Sequence, residues 1–316
     1  MSIQMSKHAL QKLFTPLSIL LIIAAIPIFA DDTIISIATR VLIFGLASVG
    51  LGIIVGYCGL VSFGHAAYFG VGAYTVLAFS LAGFTEAFVV WPAAGLAGAI
   101  VALIFGTLAL RTRGPYFIML TLALAQMLFF LLPALPGLGG DDGLPIYTRN
   151  KLMGLSLDEP VIFYIIVAVL IGLFLLILSR LLAGHFGRAL NSINDSERRM
   201  RLLGYETHYY QLAAFILSGA ITALAGALAA NLFTYVGPST LNWLVSGELL
   251  MMVILGGQGT LLGPLLGAFI IVLAETELAT LTDQWQAILG VISLGSVLLT
   301  QQGIYPWLRS LGTQDD

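Results

Sequence analysis

Arg40 and Glu248 each stand inside an apolar run, where a charge needs an explanation. Both lie about six residues from the same end of their runs, a depth of roughly 9 Å at 1.5 Å per helical residue. A charge near the middle of a bilayer costs about 2.5–3.5 kcal/mol on insertion scales. A guanidinium and a carboxylate at equal depth can offset that cost by pairing. The alternative is an Arg40 that stretches its long side chain outward to water. His65, beside Gly64 in a third apolar stretch, has the chemistry of a ligand or relay, but a lone histidine there is more often a packing or helix-end residue.

The second concentration of chemistry is "INDSERRMRLLGY", residues 193–205, which holds two acidic and three basic side chains. Arg188 extends it upstream. Its local signals are helical: Asn194 can cap, Glu197 three residues later can complete a capping box, and Gly204 suits a left-handed stop. The product is a helix of about two turns, with Met200 and Leu203 on one face and Arg198, Arg199 and Arg201 around it. So short a helix is marginal alone in water. Anionic headgroups can hold it, as can a groove on a soluble protein, or the stretch is a plain solvated loop. Charge alone leaves these readings open.

These residues hang on a chain of 316 residues that is 59% hydrophobic and 9% charged, with a mean hydropathy of +1.00. A soluble domain carries roughly 25% charged residues, so a water-facing globule is excluded. Runs such as 161–178 lack the period-two alternation of a membrane barrel. The reading is an all-α, polytopic membrane helical bundle, one transmembrane domain over 1–316. Ten apolar segments stand out: 15–30, 34–55, 65–82, 87–109, 116–133, 160–180, 210–234, 242–256, 261–278 and 284–301. A full span needs about 20 residues, so the short first and eighth are candidates for tilted, partial or re-entrant helices. The expected number of spans is about eight to ten. In the first segment Lys7 and Lys12 precede an apolar stretch ending at Ala30, as in a signal peptide. Ile28 fits poorly where a cleaved signal carries a small residue, so the stretch reads as a first membrane helix.

Orientation follows from the basic residues. With the N-terminus inside, Lys7, Lys12, Arg111, Arg113, Arg180, Arg188, Arg198, Arg199, Arg201 and Arg309 share the inner face. Only Arg149 and Lys151 fall outside. The acidic residues lean outward, among them Asp31, Asp32, Glu86, Asp141, Asp142, Asp158, Glu159, Glu275, Glu277 and Asp283. Both termini and the loop 181–209 are therefore expected in the cytoplasm.

Two stretches at membrane level are rich in glycine: Gly56–Tyr74 and Leu255–Ala268. Close helix packing is one explanation, and Gly98-xxx-Ala102-xxx-Gly106 and Gly263-xxx-Gly267 fit it. A broken helix lining a substrate path is the other, tolerated where protein or a cavity covers the backbone. At 56–65 the two readings stand level. If a path runs there, its candidate lining is Ser62, Gly64, His65 and Tyr68, joined by Arg40 and Glu248.

Absences narrow the function. No G-x-x-x-x-G-K-[ST] is present, so the chain carries no phosphate-cradling loop of its own. Without HExxH or GxSxG, an intramembrane hydrolase has no nucleophile–base pair. A proton-coupled carrier needs more buried acids than Glu248. Cys58 is the lone cysteine, which excludes an internal disulfide.

The blocks "GYCGLVSFGHAAYFGVGAYT", "LRTRGPYFIMLTLALAQ", "GGDDGL", "RALNSINDSERRMRLLGYETHYYQLAAFILSGAITALAGAL" and "SGELLMMVILGGQGTLLGPLLGA" resemble, in order and over about 40–300, the permease subunits of bacterial branched-chain amino-acid ABC importers. The likeness is to the M-type subunit; urea and amide permeases share the blocks. It implies an inner-membrane transport subunit with no enzymatic activity and no cofactor of its own. Its partners would be a related permease, two cytoplasmic subunits that hydrolyse ATP, a periplasmic binding protein and membrane lipid, with no nucleic acid. It also implies that Gly187–Gly204 is the segment seated on the ATP-hydrolysing subunit, with Arg188, Asn194, Asp195, Glu197, Arg198, Met200, Arg201, Leu203 and Gly204 as candidate contacts. Gly52, Gln126 and Gln211 depart from the family pattern, which carries Asn, an acid and a nearby Lys there; this leaves Gly52 and Gln126 without a path assignment.

Overall fold

The computed structural model describes residues 31–282, 284–299 and 303–311; the apolar segment 15–30 lies outside them. Each of the other nine apolar segments forms a helix. In chain order the helices are α1 Asp32–Gly52, α2 His65–Leu81, α3 Ala87–Ala109, α4 Pro115–Ala134, α5 Pro160–Ala183, α6 His185–Asp195, α7 Glu197–Leu202, α8 Thr207–Phe233, α9 Trp243–Gly256, α10 Gly263–Leu281, α11 Trp285–Leu299 and α12 Ile304–Leu311. Among the described residues, six helices are long and apolar enough to cross a membrane, and α2 and α9 are shorter apolar helices. The protein is thus a multi-pass helical bundle.

Local chemistry sets the helix ends. Pro115 and Pro160 open α4 and α5, where the missing N–H has no partner to lose. The Asn242 side-chain oxygen accepts the Leu244 N–H at 3.0 Å and caps α9.

The core sits around α8, which packs on α1, α2 and α3. Small residues bring these backbones together. A Cβ on Gly72 would collide with the Ala223 carbonyl, and one on Gly226 with the Phe69 carbonyl. A Cβ on Gly98 would lie 2.8 Å from the Gly219 carbonyl, so the Gly98–Ala102–Gly106 stripe serves packing as expected. The α9–α10 hairpin is closed the same way, by Gly256 on the Gly263 carbonyl and Gly267 on the Met252 carbonyl. Leu96, Ile100, Ile104, Val169, Leu173 and Ile177 point outward from α3 and α5, an apolar exterior suited to lipid.

At the end of the bundle remote from 181–209 the loops form two short antiparallel ladders. β1 (Leu144–Pro145) pairs with β4 (Tyr235–Val236), and β2 (Lys151–Leu152) with β3 (Leu155–Ser156). Asn231 Oδ1 accepts the Asn150 N–H at 2.9 Å, and Asn150 Nδ2 donates to the Thr85 carbonyl at 3.1 Å. This ties the hairpin down onto α8 and the α2–α3 turn.

Candidate functional site: the broken helix and the arginine-rich helix pair

The first glycine-rich stretch is a genuine break. α1 widens into a π-helical turn at Ile53–Tyr57, and regular structure resumes only at His65. Gly59, at φ +67°, occupies the left-handed region that permits the turn. Such an irregular segment at membrane depth must satisfy its polar groups within the protein, and here Ser62 within the break and side chains from two distant helices do so. The Phe63 N–H donates to Thr121 Oγ1 at 3.2 Å, the Gly64 N–H to Ser62 Oγ at 3.2 Å, and the Ala66 N–H to Ser246 Oγ at 2.7 Å.

His65 is fully buried at the centre of this knot. Ser218 Oγ donates its only proton to the Gly50 carbonyl at 2.6 Å. It therefore receives the His65 Nε2–H at 2.7 Å. That leaves Nδ1 as the acceptor for Ser62 Oγ, 3.2 Å away. Tyr68, one turn on, packs edge-on against His65 and Phe215 with ring centroids 5.3 and 6.0 Å apart. Ser62, Gly64, His65 and Tyr68 are thus brought together in a buried knot. Gly56 packs directly on Gly259, so the two glycine-rich stretches touch each other.

The loop 181–209 differs from its expected form. It contains two helices, α6 and α7, joined by a sharp bend at Ser196. Ser196, not Asn194, caps the second, accepting the Arg199 N–H at 3.3 Å. Asn194 belongs to the last turn of α6, and a Cβ on Gly59 would collide with its side-chain oxygen, so α6 rests on the break. Gly204 does provide the left-handed stop, at φ +86°.

Glu197 ties the helix pair to the body of the bundle. It accepts from Arg113 Nη2 at 2.8 Å, from Arg201 and from Thr207 Oγ1 at 3.2 Å. Arg201 Nε also donates to Thr207 Oγ1 at 3.1 Å. The expected Met200–Leu203 face is corrected too: Met200 is buried, whereas Leu202 and Leu203 are 82% and 67% exposed. On a helix this short the bend at Ser196 turns Met200 inward. Arg188, Asp195, Arg198 and Arg199 are exposed on the same helix pair.

Arg40 does not bond Glu248. Its Nη2 reaches both oxygens of Glu275 at 2.7 Å, and its guanidinium lies 5.5 Å from the centre of the Phe44 ring. The sequence reading counted Glu275 among the outward-leaning acids at the end of segment 261–278; α10 runs on to Leu281, so Glu275 sits within the helix and meets Arg40. The sequence reading also missed Ser218, Thr121 and Ser246. Each is a small hydroxyl in an apolar helix, a type common enough in such helices to carry no signal by itself.

Comparison with known proteins agrees with this architecture. The family described as "Branched-chain amino acid transport system / permease component" matches residues 33–299. The chain is 27% identical over 326 residues to the high-affinity branched-chain amino acid transport system permease protein LivM of Salmonella typhimurium, covering 95% of this chain and 76% of LivM. LivM of Escherichia coli matches with the same identity and coverage. The autoinducer 2 import system permease protein LsrC of Yersinia pseudotuberculosis is 30% identical over 150 residues, 44% of this chain and 43% of LsrC. No solved structure matches. With a match across most of its described length, this chain belongs to the family of permease components of branched-chain amino acid transport systems.

Proposed function

We propose that this protein is the transmembrane permease subunit of an ATP-driven importer in a bacterial inner membrane, moving branched-chain or other apolar amino acids. The observation that carries the reading is the α6–α7 pair. It presents exposed Leu202 and Leu203 together with exposed arginines, is tied to the body through Glu197, and rests on the helix break through Asn194 and Gly59. Buried apolar anchors with a charged rim are the usual composition of a protein docking site. A soluble ATP-hydrolysing subunit seated there would push on α6, and α6 on the break. The chain holds no phosphate-binding loop of its own, so the energy has to come through such a contact. A second permease, two ATP-hydrolysing subunits and a periplasmic binding protein complete the proposed assembly, with the arginine-rich end in the cytoplasm. The amino-acid substrate draws on the family description and on LivM, whose likeness spans 95% of the chain, against 44% for LsrC.

The test is uptake of labelled leucine by vesicles containing the assembled subunits. Uptake should require ATP and survive dissipation of ion gradients. Uptake driven by an ion gradient without ATP would identify a secondary transporter, and uptake of urea or an amide in place of leucine would reassign the substrate.

A further inference from the structure

α5 turns one face out of the bundle along most of its length. Ile165, Val169, Leu173, Leu176, Ile177 and Leu181 are exposed at helical spacing, and every one is aliphatic. Among the six described helices that can cross a membrane, this one has the highest mean hydropathy, 3.3. Helices that pack together inside a bilayer meet through small residues, and those in the middle of α5, Ala168 and Gly172, are buried. The outward stripe therefore fits acyl chains better than another helix. Its two ends differ in charge. Asp158 and Glu159 are exposed just before the helix, whereas Arg180 is exposed in its last turn. Arg180 follows Leu176 and Ile177 by four and three residues, which places it on the same face. From Val161 to Arg180 the helix rises about 30 Å at 1.5 Å per residue, the thickness of a hydrocarbon core, so Arg180 falls where acyl chains give way to headgroups. Its side chain makes no hydrogen bond or ion pair among the described residues. Arg188 Nη1 donates to the Ala183 carbonyl at 3.4 Å, which draws a second guanidinium to the turn that carries Arg180. Residues 160–194 contain no acid to neutralise either cation.

We propose that the arginine-bearing end of α5 binds an anionic phospholipid. Arg180 and Arg188 hold the headgroup phosphate through charge-assisted hydrogen bonds, and the aliphatic stripe holds the acyl chains. Charge sets the selectivity. Phosphatidylcholine also carries a phosphate, but its own ammonium group opposes two guanidinium groups, whereas phosphatidylglycerol keeps a net negative charge for them. At the far end of the stripe Asp158 and Glu159 repel the same headgroup, so the site takes lipid from one leaflet alone. A free phosphate ion would meet the arginines without gaining the stripe.

The experiment places a bimane label on Ile177→Cys, in a Cys58→Ala background, with the full complex reconstituted in nanodiscs. Quenching by brominated phosphatidylglycerol, set against brominated phosphatidylcholine, reads the relative affinity at this face. Phosphatidylglycerol should be preferred. Arg180→Gln should lower that preference about fivefold, the worth of one cation at the membrane surface. Arg180→Lys should keep most of it, and Arg180→Gln with Arg188→Gln should abolish it. Equal quenching by the two lipids, or a preference unchanged in the double variant, overturns the proposal. Absence of quenching by either lipid also overturns it, because protein would then cover the stripe. Displacement of phosphatidylglycerol by inorganic phosphate overturns it as well, by marking an anion site without a lipid. Copurified ATP-hydrolysing subunits are measured for each variant; a preference lost only together with those subunits would assign the arginines to docking and overturn the lipid site. Nanodiscs carry the same lipid in both leaflets, so the outcome is independent of the import reading.

Discussion

Replacing Glu275 with glutamine puts the Arg40 pairing to its strictest test. Arg40 Nη2 is 2.7 Å from a Glu275 oxygen, and the two side chains are 27% and 17% exposed. Removing one partner of a fully buried pair costs about 3–5 kcal/mol, while an exposed pair is worth only about 0.2–1 kcal/mol. With this intermediate exposure, and with glutamine keeping one acceptor oxygen, the loss should be about 1–3 kcal/mol. The Phe44 ring remains under the guanidinium, but a cation–π contact at a partly exposed site contributes only about 0.5–1 kcal/mol and does not change on mutation. The measurement is a double-mutant cycle on Arg40→Gln and Glu275→Gln, using unfolding by SDS in mixed micelles. A coupling of about 1–2 kcal/mol is expected, against less than about 0.5 kcal/mol for Arg40 with Glu248, which lack a hydrogen bond. Exchanging the charges as Arg40→Glu with Glu275→Arg should restore part of the loss. If only the exchange of Arg40 with Glu248 restores stability, the assigned pairing is wrong.

Two further outcomes test the arginine-rich end. Leu202→Asp and Leu203→Asp should each weaken retention of the ATP-hydrolysing subunit by at least about tenfold, since burying one leucine contributes about 1.5–3 kcal/mol; Met200→Ala should lower thermal stability with little effect on retention, and the reverse ranking would remove the docking surface. Gly59→Ala should depress leucine uptake, because a left-handed alanine costs about 1–2 kcal/mol and its methyl meets Asn194. Adding Asn194→Gly relieves the collision but not the backbone cost, so partial recovery is expected; none would mean that α6 does not act through the break.

Every described spanning segment was visible in the sequence, because hydropathy reports membrane residence directly. The break at 58–64 was visible only as one of two options: glycine serves close packing and chain reversal alike, and both occur within that stretch. Partners separated by long sequence intervals were lost. Glu275 was counted with the outward acids because it stands near the end of segment 261–278, when the helix runs on to Leu281 and brings it against Arg40. Asn194 was assigned as a cap on local pattern, but Ser196 occupies the extended backbone position that a cap requires, and the tertiary contact with Gly59 holds Asn194 one turn earlier.

The hydrogen bonds around His65 all point one way, from Ser62 through the imidazole and Ser218 to the Gly50 carbonyl. At one end the chain is fed by the Gly64 amide, and at the other it terminates on an amide oxygen. Neither terminus can take up or release a proton, so the array conducts nothing. It behaves as a bolt across the bent segment, and shifting α2 against α8 requires breaking it as a unit. A buried histidine in a transporter invites a proton-motive interpretation; here both ring nitrogens are committed to hydroxyls, and the array stiffens the junction of α1, α2 and α8.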